Sequence, residues 1–363
     1  MSTAKAVSTT AKECFNTTVD IGMIITEDVY GRVTSTKIVS AGTVVTARVL
    51  EVLGLHGIKY VNVGANNKAS VDSGWVASDI TASVKFSEFV NLYQTHITLV
   101  KKELGLLMSG NDTDVNVILN VVSDLIETVT TNAQVLNFIR YIEQADDAVF
   151  AHCVNVAVLC GLFGSWLKMP RQDRSALIVS GMMHDIGKTR IHPKILYKPG
   201  KLTDEEFAEI KKHTVHGYRI LEKSNLPNVV KLAALMHHEK LDGSGYPLRI
   251  THSDIDLVAM TVAICDVYEA MTADRVYRAK MSPFTVIRQF EQGSFGSLYE
   301  GYLFIFLRKI AESFVNNDVI LSDGRKGRIL HVAPGSNSRP LVQCDDKFVD
   351  LAVEKDLQIL NVI

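Results

Sequence analysis

Seven ionisable side chains stand out because each lies in a largely apolar, helix-like stretch: His152, His184, Asp185, His213, His237, His238 and Asp266. Groups of this kind are seldom buried without a partner, and a metal is the simplest partner that satisfies them all. The nucleus is Met182-Met183-His184-Asp185-Ile186-Gly187-Lys188, where the apolar run Ala176 to Met183 ends at a glycine. Adjacent helical residues point about 100° apart, so an imidazole and a carboxylate here can face one cavity. The carboxylate has two oxygens with which to bridge two cations. All seven donors are nitrogen or oxygen, which speaks against a four-cysteine structural zinc site. Imidazole and carboxylate suit iron, manganese, zinc or nickel. Seven groups are too many for one metal that keeps an open position. They suit two divalent ions sharing Asp185, with water or hydroxide filling the gap. Such a pair clamps the attacking and leaving oxygens of a phosphoryl displacement and generates hydroxide at neutral pH, and phosphodiester hydrolysis is the reaction that most needs it.

Lys188 follows Asp185 by three residues, so it shares that helix end; its ammonium suits a phosphate oxygen, or simply answers the helix dipole. Arg275, Tyr277 and Arg278 follow Asp266 at the end of that ligand's helix. They suit a phosphate or a purine face, or an ordinary solvated helix end. His56, His96, His192, His252 and His331 lack partners at ligand spacing, and His216 reads as a surface histidine one turn after His213. The five cysteines are odd in number and have no CxxC spacing, which argues for reduced thiols in a cytoplasm. Cys153 and Cys160 read as core packing.

Helices must carry these donors. From about Val84 to Phe314 the apolar positions recur at spacings of three and four, as on one face of a helix. The pattern places helices at about 85–108, at 112–141 as one long stretch, at 148–167, and at roughly 171–187, 203–223, 227–239, 253–274, 283–293 and 299–316. Thr203 with Glu206 three residues on forms a capping box. Residues 18–65 instead read as short strands (19–21, 23–25, 37–39, 43–45 and 59–63) around a helix from Thr46 to Leu55, and 66–80 as a linker. Strands return after Asn317 at 319–321, 327–332, 341–343 and 357–360. Three domains follow: 1–80, a small α+β accessory unit; 81–316, the helical unit with its motifs at 145–316; and 317–363, a small β unit. The class is mainly α.

The chain has 363 residues, is 47% hydrophobic and 21% charged, and carries a formal charge of −2. That balance calls for no nucleic-acid polymer. The N-terminus lacks the apolar core of a signal peptide, and no apolar run reaches the roughly 18 to 20 residues of a membrane span. A cytoplasmic protein is expected.

The combined motifs resemble the HD-GYP family of bacterial cyclic di-GMP phosphodiesterases, a branch of the HD metal-dependent phosphohydrolases. They are His184-Asp185-Ile186-Gly187-Lys188, Lys198-Pro199-Gly200-Lys201-Leu202-Thr203, His213-Thr214 with Gly217, His237-His238-Glu239, Asp242-Gly243-Ser244-Gly245-Tyr246-Pro247, and Asp266 to Thr272 running on to Arg275 and Arg278. The resemblance implies an all-helical HD-type catalytic domain that hydrolyses cyclic di-GMP to pGpG or GMP, with two divalent ions, iron or manganese first. It implies that His152, His184, Asp185 and Asp266 hold one ion, and that Asp185, His213, His237 and His238 hold the other. Asp185 and Lys188 are then the catalytic residues. Lys188, Arg275, Arg278 and Tyr246 are the substrate-binding candidates, and the Gly245-Tyr246-Pro247 loop shapes the pocket or meets a signalling partner. Some members bind a third metal through a Glu four residues before the first His. Ala148 stands there, so a binuclear site is expected, with Asp147 and Glu143 as the nearest substitute carboxylates. Two other functions fit the same motifs: hydrolysis of cyclic GMP-AMP, and a weakly active cyclic-dinucleotide receptor. The helix of 85–108 also suits a homodimer contact.

Overall fold

The structure, a computed structural model, describes residues 84–142, 148–198, 200–273 and 280–362 and, before them, 4–6, 24–25, 27–30, 37–39, 60–64, Thr43, Val45, Val49, Leu53 and Ile58. It divides into two compact units, Met1–Asp79 and Ile80–Ile363. In the first, β5 (Tyr60–Gly64) lies between β1 (Ala4–Ala6) and β2 (Ile24–Ile25), all antiparallel, and β3 (Val29–Tyr30) pairs with β4 (Lys37–Val39). Ile25, Val39, Val45, Leu53, Ile58 and Val61 form its core. The expected strand at 19–21 and most of the helix at 46–55 lie outside the described residues, although Val49 and Leu53 are helical; Thr43 and Val45 belong to no strand.

The second unit is mainly helical, with a small antiparallel sheet at its C-terminal end. Helix α1 (Val84–Met108) buries Phe86, Phe89, Tyr93, Ile97, Val100 and Leu104, the stripe its spacing calls for. The single helix expected over 112–141 is two, α2 (Val115–Glu127) and α3 (Asn132–Tyr141). Asp114 caps α2 and Thr131 caps α3 by accepting from the Gln134 N–H. The residues between, Thr128 to Thr131, are all β-branched and serve better at a boundary than in a helix interior.

Helix α4 (Ala148–Trp166) corrects the membrane expectation: at 19 residues and a mean hydropathy of 1.8 it is long and apolar enough to cross a bilayer. Yet 78% of that apolar window is buried inside the protein. A helix apolar all round is what the centre of a helical core requires. It packs against α5 (Arg171–Met183) and α10 (Leu257–Thr272).

Between these run a 3-10 turn (Ile186–Arg190), α6 (Pro193–Leu196), α7 (Asp204–Lys211), α8 (His213–Leu221) and α9 (Asn228–Met236). The capping box at Thr203 and Glu206 is formed. The expected helix over 203–223 breaks at Lys212, where His213 Nδ1 and the Thr214 hydroxyl donate to the Ile210 and Lys211 carbonyls. Helices α11 (Pro283–Glu291) and α12 (Glu300–Ser313) lead into β6 (Asp318–Leu321), β7 (Lys326–His331), β8 (Leu341–Cys344), β9 (Lys347–Asp350) and β10 (Ile359–Val362), ordered β10-β6-β7-β8-β9. Strand β9 escapes the sequence pattern because its turn is Asp345-Asp346, without glycine, and only Val349 of the strand is buried. Val319, Leu321, Ile329 and Val342 belong to the same apolar core as Phe306 and Phe314 of the helical part.

Candidate metal centre

Helix ends and one helix face supply every donor. His152 sits in the second turn of α4, His184 and Asp185 directly after α5, His213 at the start of α8, His237 and His238 directly after α9, and Asp266 within α10. The fold gathers all seven into two groups, His152 with His184 and Asp266, and Asp185 with His213, His237 and His238. Within each group one donor atom from every residue lies within 4.8 Å of the others.

Asp185 stands between the groups with one oxygen toward each. Its Oδ2 lies 3.3 Å from both His152 Nε2 and His184 Nε2. Its Oδ1 lies 3.3 Å from His213 Nε2 and 3.8 Å from His237 Nε2. On the first side Asp266 Oδ1 comes to 3.0 Å from His152 Nε2. The donor set fits cations. His152 and His184 oppose Nε2 to Nε2 at 3.3 Å, as do His213 and His237, and two such nitrogens repel unless a proton or cation lies between them. Asp185 Oδ1 is buried with no hydrogen-bond donor among the described residues.

The outer ring nitrogens are already engaged, which aims Nε2 inward. His184 Nδ1 donates to the Gly181 carbonyl at 2.7 Å, His213 Nδ1 to Ile210 at 2.7 Å, and His237 Nδ1 to Ala233 at 3.1 Å. His152 Nδ1 instead meets a carboxylate, Glu269 Oε2, at 2.6 Å. Burial pushes His213 down to about 4, His238 to about 3 and His237 well below the usual imidazole range, so these rings are neutral at pH 7. Neutral imidazole is the coordinating form. Burial also pushes His152 down, but Glu269, Asp185 and Asp266 more than reverse this and hold it at about 10. Burial disfavours ionised Asp185 and Asp266; Lys188 and His184 around the first, and His152 beside the second, hold both well below the carboxylate range.

Lys188 forms an ion pair with Asp185 Oδ2 and keeps 24% of its side chain exposed, at the mouth of the site. Burial lowers its ammonium and Asp185 and Asp266 raise it further, so it stays charged. Gly187, in the same turn, touches α8 backbone to backbone. A Cβ there would fall 1.9 Å from the His213 carbonyl oxygen and 2.4 Å from the Gly217 nitrogen. The turn bearing His184 and Asp185 therefore reaches His213 only because residue 187 has no side chain.

The Gly245-Tyr246-Pro247 loop buttresses the second group. Tyr246 stacks on His238, ring centroids 4.6 Å apart and planes 27° apart. A Cβ on Gly245 would lie 2.4 Å from Glu239 Cα, and Glu239 Oε1 accepts from the Leu248 and Arg249 N–H groups at 2.6 and 3.1 Å. Arg275, Tyr277 and Arg278 lie outside the described residues, as do Glu143 and Asp147; Ala148 opens α4. Cys153, Cys160 and Cys265 are free and buried beside the centre's helices.

Sequence reasoning missed Glu269. The signal was present: it follows Asp266 by three residues and so shares its helix face, in a helix otherwise apolar.

Residues 120–293 match the family model of the HD domain. Over 214 residues the chain is 31% identical to a cyclic di-GMP phosphodiesterase of Pseudomonas aeruginosa, covering 57% of this chain and 51% of that one. Over 162 residues it is 36% identical to the 3′3′-cGAMP-specific phosphodiesterase 2 of Vibrio cholerae, covering 44% of this chain and 31% of the relative. The chain thus spans about half or less of the length of these curated relatives. Its fold is similar to that of Bd1817, an HDG"Y"P protein of Bdellovibrio bacteriovorus, with a TM-score of 0.50 over 78% of this chain and 94% of that one at 15% identity. The segment matched by the HD-domain model contains both the His184-Asp185 pair and Gly245-Tyr246-Pro247, and the helical unit that carries them is similar to an HD domain.

Proposed function

We propose that this chain is a metal-dependent phosphodiesterase that hydrolyses cyclic di-GMP to linear pGpG, to GMP, or to both. The observation that carries the reading is the division of Asp185, whose two oxygens face two separate groups of donors. The name of the Pseudomonas aeruginosa relative supports the substrate class. Two divalent ions, iron or manganese, would be held by the two groups, His152, His184, Asp185 and Asp266 on one side and Asp185, His213, His237 and His238 on the other. Bound there, such ions supply Lewis acidity and a nucleophile at neutral pH.

The protein's own residues do the rest. Lys188 holds its charge at the mouth of the site and offers its ammonium to a nonbridging oxygen of the scissile phosphate, where negative charge grows in the transition state. His213, His237 and His238 stay neutral and keep their lone pairs available. We assign Arg275 and Arg278 to the dinucleotide on the strength of the motif. Tyr246 serves the substrate side of His238 by holding that ring in place. The same loop lines a cavity of about 530 Å³ together with Lys211, Lys212 and Arg249, a basic surface suited to an acidic face of a signalling partner. The apolar stripe of α1 is buried within its own unit, so a homodimer needs a different surface. A cytoplasmic setting belongs to this reading, since cyclic di-GMP is its substrate.

A second reading, hydrolysis of 3′3′-cGAMP, is favoured by the 36% identity to a Vibrio cholerae enzyme of that specificity. Manganese-reconstituted protein incubated with each dinucleotide in parallel, with products separated by chromatography, decides between them. Release of pGpG or GMP from cyclic di-GMP, stopped by a chelator, is the expected result. Turnover of cGAMP alone would move the assignment to the second reading, and turnover of neither would leave a receptor.

A further inference from the structure

We propose that Tyr93, Asn155 and Glu269 form one buried hydrogen-bonded relay that locks His152 with Nε2 aimed at the first group of donors, so that helix α1 positions half of the centre. The matched HD segment begins at residue 120, after α1 has ended at Met108. The proposal therefore places part of the site's support outside the segment that the family model covers. It rests on the two-ion reading given above.

The four side chains are connected without a gap. The Tyr93 hydroxyl donates to Asn155 Oδ1 at 2.8 Å and faces the Ala151 carbonyl at 3.1 Å. Asn155 Nδ2 donates to Glu269 Oε1 at 2.9 Å, and Glu269 Oε2 meets His152 Nδ1 at 2.6 Å. All four residues are buried: Tyr93, Asn155 and Glu269 are 1% exposed and His152 3%.

Their polarity runs in one direction only. The Glu269 carboxylate can only accept, so the Asn155 NH₂ must face it and the Asn155 oxygen faces Tyr93, whose hydroxyl donates. One carboxylate oxygen accepts from Asn155 and the other from His152. His152 must then keep a proton on Nδ1, and Nε2 is the nitrogen from which a cation displaces the other. The carboxylate on α10 thereby sets the tautomer of the imidazole on α4, and the hydroxyl on α1, through Asn155, holds that carboxylate in place. Outer partners of ligating histidines typically change metal affinity by about 10- to 100-fold when removed.

The chain separates packing from polarity. The Tyr93 ring stacks with Phe89 at 6.2 Å between centroids, a contact that Tyr93→Phe preserves while deleting only the hydroxyl. Glu269→Gln keeps shape and turns one accepting oxygen into a donor, which cannot accept from both neighbours.

Two readouts test the relay in the full chain. In metal-free protein, NMR of the histidine rings should show a strongly downfield Nδ1–H proton, assigned to His152 by its loss in His152→Asn. It should vanish in Glu269→Gln and shift in Tyr93→Phe. Mn²⁺ titration of metal-stripped protein should then show one of two binding steps weakened by about 10- to 100-fold in Glu269→Gln and by a few-fold in Tyr93→Phe. The other step should be unchanged, and Glu269→Asp should recover part of the loss. An unaltered ring proton in both variants would overturn the proposal, as would equal weakening of both steps. If Glu269→Gln fails to fold, Tyr93→Phe carries both readouts alone. The ring proton is read without metal, so a relay that fails is distinguishable from a two-ion reading that fails.

Discussion

In one half of the centre the outer nitrogen of His152 rests on a carboxylate, Glu269; in the other the outer nitrogens of His213 and His237 rest on the backbone carbonyls of Ile210 and Ala233. Both partners orient the ring and raise its basicity, the charged carboxylate more than the carbonyl. Glu269 and the site carboxylates overcome burial and hold His152 at about 10, while burial takes His213 and His238 down to about 4 and 3. The first half thus combines strong donors with a proton to displace. The second is neutral, ready for a cation, and propped by Tyr246. Asp185 is the one side chain common to both.

Removing that shared group should have the largest effect. Asp185→Ala deletes both bridging oxygens, and turnover should fall by about 10³-fold or more, beyond the loss of a single electrostatic donor. Steady-state assays at saturating metal test this; turnover within tenfold of wild type would break the comparison by showing that the halves need no shared ligand.

Gly187→Ala comes next. Its new Cβ would meet the His213 oxygen at 1.9 Å, so the turn and α8 must move apart. Overpacking of this kind costs about 1–3 kcal/mol, and backbone on both sides gives little relief. Thermal unfolding of metal-free protein should show that loss, and Mn²⁺ titration should show the second half weakened more than the first.

Acidity should separate the halves. Because His152 keeps its proton up to about 10, a cation entering the first half displaces it. Affinity there should drop about tenfold for each unit that the pH falls below that value, one proton per ion bound. Protonation of His213 and His238 opposes binding only near their values of about 4 and 3, so the second half should hold its cation nearly unchanged from pH 8 to roughly pH 5. Metal titrations at pH 8, 7 and 6 would show this as one steep and one flat binding step.

The smallest effect belongs to the loop. An aromatic pair is worth about 0.5–1.5 kcal/mol, so Tyr246→Ala should weaken the second half by roughly 2- to 12-fold and leave the first alone. Tyr246→Phe keeps the stack on His238 and should match wild type in metal titration.

The candidate ligands were legible because each is a polar group within or at the end of an apolar helical stretch, a conflict that sequence alone exposes. Glu269 was less so: its spacing from Asp266 puts it on the same helix face, but its partner His152 shows only once α4 is seen against it. Tyr93 was hidden further, since its ring satisfies the apolar stripe of α1 and the hydroxyl leaves no mark on the periodicity. The helical class and the cap at Thr203 follow from local rules, and both hold. The split of 112–141 turns on a β-branched run that periodicity ignores. The β9 hairpin has a turn without glycine. Burial of α4 is invisible to hydropathy, because a core helix and a membrane helix share one composition.

The most direct test of the centre is electron paramagnetic resonance of this chain loaded to saturation with Mn²⁺. Two ions joined through the Asp185 carboxylate should give an exchange-coupled spectrum, with about two manganese per chain by elemental analysis. A six-line spectrum of isolated Mn²⁺ at full loading, or one ion per chain, would contradict the shared-carboxylate centre.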